Sequence, residues 1–287
     1  MKELLKIKVM LPLLLCFLCS CSSEVETGEH DIDVEFISSP QDKLTVIYYN
    51  LDRGMTSDEM TGYSDFVDWL ASQKCDVLVA CEADASMLGA RMSEWGHSFV
   101  IEADAADGYP VVITSAVEPT YEAQIPVESG KPALYVQIGD MHIVGMDIDR
   151  SLEPLEAYRR MVSVLDATYD NRSIVASSWL IGGSMYHLSI MDMDYGIEWY
   201  PDDIESDEYR FDLYAWNDNL IDCVAQLYKY NIPTFTPADD ASAAYRADYV
   251  YVSRDVYEGN IDSVEIIEDE FTSRASCHKP IKISVRY

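Results

Sequence analysis

The sequence predicts an α/β fold, a four-layer sandwich in which two mixed β-sheets pack face to face with helices on the outside. Three observations lead there. Short apolar runs rich in Val, Ile and Tyr alternate with stretches of helical periodicity. Several runs follow one another too closely for a helix to intervene, as across residues 133–146, which disfavours a purely parallel doubly wound sheet. Residues 43–287 contain no internal repeat and no second linker, and are enough chain for one large domain with a full core.

Strands are predicted at residues 44–49, 77–81, 111–114, 135–138, 142–146, 174–181, 249–252, 264–267 and 281–285. Phe66, Trp69 and Leu70 recur at helical spacing between the first two, as do Tyr158, Met161, Val162 and Leu165 before residue 174, and Leu220, Val224 and Leu227 before residue 249. Residues 192–218 break the pattern, interleaving carboxylates such as Asp192, Asp194 and Glu198 with aromatics such as Trp199, Tyr200 and Trp216. This reads as a long surface excursion. Its aromatics suit a sugar or amphiphile groove, and equally suit an insertion packing back on its own domain. Asp192-x-Asp194-x-Gly196 is only part of a calcium loop, because the third ligand position and the glutamate at loop position twelve are missing.

At the N-terminus, Lys2, Lys6 and Lys8 precede an apolar run at residues 9–18, short of the roughly 20 residues a membrane-spanning helix needs. The run reads as an export signal. The junction Leu18-Cys19-Ser20-Cys21 resembles a bacterial lipoprotein signal, which implies a signal peptide at 1–20 and lipidation of Cys21. Residues 21–42 form a polar, acidic tether ahead of the domain at 43–287. Ser22, Ser23, Glu24 and Glu26 after the cysteine resemble an outer-membrane lipoprotein of the bacterial cell envelope, with the lipid on Cys21 as the membrane contact.

The 51 acidic side chains against 20 basic ones give a formal charge of −31, which repels polyanions at long range and argues against DNA or RNA as a partner. The mature chain keeps Cys75, Cys81, Cys223 and Cys277. The first two flank a strand and lie too far apart to bridge each other, and no metal-type Cys-x-x-Cys spacing occurs.

The candidate chemistry gathers at strand ends. Asn50 and Asp52, two apart, project to one side of an extended chain, and Glu82 closes the next strand. Oxygen ligands from neighbouring strand ends suit a hard cation such as Mg²⁺, which favours carboxylate and water oxygens. Much later come Arg246-Ala-Asp248-Tyr and Ser276-Cys277-His278-Lys-Pro280. In that order and setting these residues resemble the endonuclease/exonuclease/phosphatase superfamily over the whole of residues 43–287. The resemblance implies two packed sheets flanked by helices, Asn50 and Glu82 with Asp52 around Mg²⁺, Mn²⁺ or Ca²⁺, and Asp248 orienting His278 against a phosphoryl oxygen.

Four positions depart from that pattern. Where the family has Gly-Asp-Phe/Leu-Asn, this chain has Gly183-Ser184-Met185-Tyr186, so Ser184 and Tyr186 replace both polar partners. Asp147 stands where many members have the histidine of Thr-His-Leu, and Cys277 replaces the aspartate of the final block. Losing a positioned general base costs a factor of about 10²–10⁴. Asp147 within about 4 Å of a phosphate oxygen would be opposed by roughly 4 kcal/mol per unit charge at an effective dielectric near 20, unless it binds a cation. Cys277 faces away from His278 on an extended chain and reads as an inert buried thiol, and Gly182-Gly183-Ser184 lacks the elbow of a Ser-His-Asp hydrolase.

Two functions follow. One is a lipid-anchored protein on this scaffold that no longer catalyses efficiently and binds a phosphoester or glycan ligand. The other is an active, divalent-metal-dependent phosphodiesterase or phosphomonoesterase with Asp147 or Asp149 as a substituted water activator.

Overall fold

A computed structural model of the chain describes residues 43–53, 63–127, 130–170, 178–186, 215, 219–228, 232–238, 241 and 244–286. The signal peptide, Cys21, the tether, and all but Ala215 of the acidic excursion lie outside the described residues. The strands are β1 (Lys43–Asn50), β2 (Val77–Cys81), β3 (Phe99–Glu102), β4 (Val112–Ser115), β5 (Tyr121–Ile125), β6 (Ala133–Ile138), β7 (Met141–Asp147), β8 (Ser178–Ser184), β9 (Leu220–Asp222), β10 (Asp248–Ser253), β11 (Ile261–Ile266) and β12 (Ile281–Arg286). Among the helices, α1 (Tyr63–Gln73) and α2 (Ala85–Arg91) follow β1 and β2, α3 (Pro154–Asp170) follows β7, α4 (Cys223–Tyr228) follows β9, and α5 (Arg254–Gly259) follows β10.

Two six-stranded mixed sheets result, one ordered β11-β12-β1-β2-β4-β3 and the other β5-β6-β7-β8-β10-β9. Each has a single parallel pair at its middle, β1 with β2 and β7 with β8, and a parallel pair needs a crossover long enough to carry a helix. The crossovers contain α1 and α3. Alternation along each strand then divides the core. Leu44, Val46, Tyr48 and Val79 of the first sheet face Leu134, Ile143 and Val250 of the second, whereas Ile47 and Tyr49 face outward against Phe66, Trp69 and Leu70 of α1. On the far side Val144, Trp179, Ile181 and Tyr251 pack against Met161 and Leu165 of α3. Strands buried on both faces read as continuous apolar runs, which is why the central ones were predictable.

Three strands escaped the sequence reading: β3, β5 and β9. All are sheet edges of only three to five residues: β3 is apolar at Phe99, Val100 and Ile101 but too short to show a period, and β5 is exposed at three of its five positions. The helical spacing at Leu220 is in fact a strand at Leu220–Asp222 running into α4. The strand expected at 174–181 is seen from Ser178, its first four residues lying outside the described set.

The parallel pairs fix where function can sit. Asn50 ends β1, Glu82 follows β2, Asp147 ends β7 and Ser184 ends β8, so four strand ends open on one rim. The antiparallel neighbours bring their starts to the same place: Asp248, first in β10, pairs with Ser184, and His278 lies just ahead of β12, which pairs with β1. Gly183 makes the rim possible, since at φ 131° a Cβ there would lie 2.0 Å from the Met146 carbonyl oxygen. That obstacle is backbone and cannot swing aside. Gly183→Ala is therefore expected to destabilise the domain by about 3 kcal/mol or more, read as a lowered urea midpoint at unchanged m-value.

Candidate functional site

A continuous hydrogen-bonded chain runs through the rim. Asn50 Nδ2 donates to Ser184 Oγ at 2.9 Å, and the Ser184 hydroxyl donates to Asp248 Oδ1 at 2.6 Å. Asp248 Oδ2 accepts from His278 Nδ1 at 2.8 Å, and His278 Nε2 lies 2.9 Å from the Tyr186 hydroxyl. Asn50, Ser184, Asp248 and His278 are all buried, His278 at 1 % exposure. The supports are equally specific. Thr234 Oγ1 accepts the backbone N–H groups of Ala247 and Asp248, and Ser276 Oγ accepts from His278 N–H while donating to the Asn50 carbonyl. Thr234 was not singled out from sequence, since a lone threonine in a loop carries no motif.

The electrostatics of the chain follow from burial. An ionised carboxylate only accepts, so His278 carries a proton on Nδ1 toward Asp248. Burial disfavours the charged imidazole, yet the Asp248 carboxylate, with Asp52 and Asp147 adding to it, more than offsets that and the His278 pKa is raised above 6.5. Burial, with Asp248, Asp147 and Glu82 nearby, holds the Tyr186 phenol far above its ordinary pKa, so it stays protonated. A neutral His278 thus accepts from Tyr186 at Nε2, and a charged one donates to it. Both ring nitrogens are engaged either way.

A second cluster adjoins the first. Asp147, buried at the end of β7, holds Lys131 Nζ at 2.6 Å. Lys131 also lies 3.6 Å from Asp107 and 3.9 Å from Glu82, and Arg53 bonds Glu82 at 3.2 Å and Asp107 at 2.8 Å. Sequence reasoning missed Lys131, Arg53 and Asp107, which sit in loops without periodicity or motif. Burial pushes the Asp147 carboxyl up to about 6 despite the ammonium beside it. Asp149 is turned elsewhere, accepting from the N–H and hydroxyl of Ser151 on the surface, so it is not placed as a water activator in this arrangement.

The donor set does not fit the divalent cation that the resemblance implies. Such an ion needs oxygen lone pairs left open to it. Here Asn50 Oδ1 accepts the Asp52 N–H at 2.7 Å, and Asp52 accepts from the Cys277 thiol, while both Glu82 oxygens face cationic side chains. Among the described residues no group of three or more His, Cys, Asp or Glu side chains is arranged to hold a metal ion. Burial and Asp52 raise the Cys277 thiol above its ordinary value, so it is a poor nucleophile although half-exposed. Ser184 donates to Asp248 and not to His278, so no Ser-His-Asp relay forms.

Backbone strain concentrates here as well. Six non-glycine residues among those described have positive φ, and Asp52, Arg53, Glu82 and Tyr186 of this rim are four of them.

Two titrations act on stability in one direction. Folded Asp147 holds its proton more tightly than an unfolded carboxyl of 3.8, so its contribution is largest below that pH and falls as pH rises to about 6. His278 contributes stability that is complete below 6.5 and lost as pH rises through its higher folded pKa. Urea titrations are expected to show the wild type losing about 2–3 kcal/mol relative to Asp147→Asn between about pH 4 and pH 6. Above pH 6.5 the wild type should decline further relative to His278→Gln.

No family model matches the chain, and no curated protein matches it. Solved structures do. An AP endonuclease from Archaeoglobus fulgidus superposes with a TM-score of 0.65 at 13% identity, covering 84% of this chain and 98% of its own. The 3′ phosphatase NExo from Neisseria, bound to a product DNA hairpin, gives 0.66 at 14% identity over 85% of this chain and 100% of its own. A humanized D. rerio TDP2 gives 0.61 at 16% identity over 86% and 100%. The two mixed sheets with flanking helices are therefore an endonuclease/exonuclease/phosphatase-type fold.

Proposed function

We propose that the chain is a lipid-anchored bacterial envelope protein whose endonuclease/exonuclease/phosphatase-type domain has lost efficient phosphoester hydrolysis and serves as a binding protein. One observation carries this reading: His278 is buried, with Asp248 on one ring nitrogen and Tyr186 on the other, so neither is directed at an incoming phosphate. The substitutions at 184 and 186 do not leave gaps. Ser184 bridges Asn50 and Asp248, where a carboxylate would face the Asp248 carboxylate at short range, and Tyr186 caps the imidazole. A rim that has replaced its reactive partners and kept its strained backbone is consistent with retention for something other than turnover.

The ligand is of phosphoester or glycan type, and the overall charge of −31 makes nucleic acid a poor candidate. A cleft of about 540 Å³ beside the rim, lined by Asp52, Thr236, Pro237, Arg274, Cys277 and Lys279, is large enough for a small molecule. Attachment is through lipid on Cys21, with residues 21–42 as the tether and the outer membrane as its place.

Turnover decides between this reading and an active enzyme using Asn50, Asp52 and Glu82 for Mg²⁺, Mn²⁺ or Ca²⁺. With generic phosphodiesters and phosphomonoesters plus each cation, the wild type is expected to show no rate above Glu82→Ala. Cation-dependent hydrolysis abolished by Glu82→Ala would establish the enzyme instead. The anchor is tested separately: in a bacterial host, labelled palmitate should enter the wild type and fractionate with the outer membrane, whereas Cys21→Ser should take up none.

A further inference from the structure

The cluster around Lys131 is assembled from distant parts of the chain. Glu82 follows β2, Asp107 lies in the loop between β3 and β4, and Asp147 ends β7 in the other sheet. Three carboxylates drawn to one half-buried place repel one another and need positive charge between them. Lys131 lies within 4 Å of all three: 2.6 Å from Asp147, 3.6 Å from Asp107 and 3.9 Å from Glu82. Arg53 closes the outer side, bonded to Glu82 and Asp107 with its guanidinium 4.8 Å over the Tyr109 ring. The Lys131 side chain is only 17% exposed, so it is a fixture of the rim and not a surface lysine that happens to reach it.

We propose that Lys131 is a built-in substitute for a divalent cation: its ammonium group fills the space between Glu82 and Asp147, and removing it frees their oxygens to take one. An ammonium is a compact point charge with three donors, which lets one group satisfy acceptors arriving from several directions. It brings one positive charge where a metal brings two, and Arg53 supplies the second, leaving two cations against three carboxylates. The same oxygens, without the lysine, are the hard donors that Mn²⁺, Mg²⁺ or Ca²⁺ take. This role for Lys131 deepens the binding-protein reading of the same rim. Metal uptake and turnover are separate readouts, so either can fail while the other stands.

The test measures Mn²⁺ uptake by the intact chain in detergent, from the loss of the free-ion electron paramagnetic resonance signal, together with the thermal midpoint with and without Mn²⁺. Wild type and Lys131→Arg are expected to show no uptake that depends on Glu82, and no shift in midpoint. Lys131→Met is expected to bind one ion at least about tenfold more tightly than wild type, a gain of about 1.4 kcal/mol. Its midpoint, lowered because Asp147 loses its ammonium partner and Arg53 alone faces Glu82 and Asp107, should recover as Mn²⁺ is added, because a ligand that binds only the folded state stabilises it. Combining Lys131→Met with Glu82→Gln should abolish both effects. The proposal is overturned if wild type binds an ion that Glu82→Gln removes, or if folded Lys131→Met gains no uptake. It is equally overturned if Lys131→Met misfolds and Mn²⁺ does not restore it, or if the gained uptake survives Glu82→Gln.

Discussion

The rim depends on one buried chain of hydrogen bonds that passes from sheet to sheet. Asn50 belongs to the first sheet, Ser184 and Asp248 to the second, and His278 leads back into the first through β12. A polar group left unsatisfied at such depth costs about 1–3 kcal/mol, so each member is tied to its neighbours and single replacements are disfavoured. The serine at 184 is part of this economy. Its hydroxyl accepts from an amide and donates to a carboxylate, a double role that neither an aspartate nor an alanine could fill.

Beside that chain, the rim balances its carboxylates with side chains. Asp147, Asp107 and Glu82 are neutralised in part by Lys131, from the loop between β5 and β6, and Arg53, from the loop after β1. An ammonium can balance charge, but it has no vacant coordination position to offer a substrate oxygen, whereas a metal ion does. The left-handed backbone at Asp52, Arg53, Glu82 and Tyr186 lies in the same rim, and conformations costing about 1–3 kcal/mol each persist only where the surroundings hold them.

The architecture explains why these groups meet. Each sheet has one parallel pair at its centre, and a helical crossover sends both strands of the pair in the same direction. Two such pairs, stacked, deliver four strand ends to a common edge. Residues separated by more than 200 positions, such as Asn50 and Ser276, then share a hydrogen bond of 2.8 Å.

How much of this could be read from the chain depends on burial and on distance. Central strands such as Val77–Cys81 and Met141–Asp147 are covered on both faces and announce themselves as apolar runs, so Asn50 and Glu82 could be picked out as the polar residues where such runs stop, while Asp147 and Ser184 were singled out as departures from the pattern the chain resembles. Asp248 and His278 were found through their motifs beside β10 and β12. The edge strands β3, β5 and β9 went unseen because runs of three to five residues are too short to show a period and β5 is largely open to water, whereas the six-residue edge strand β11 was read in part. Composition and local pattern thus determined two mixed sheets with helices outside, the positions of the central strands along the chain and the polar residues Asn50 and Glu82 at two of their ends. Which of those residues bond to one another, and that Lys131 and Arg53 stand among them, was decided only by the tertiary structure. Loop side chains obey no periodicity, and their partners are set by the packing of two sheets whose strands are far apart in the chain.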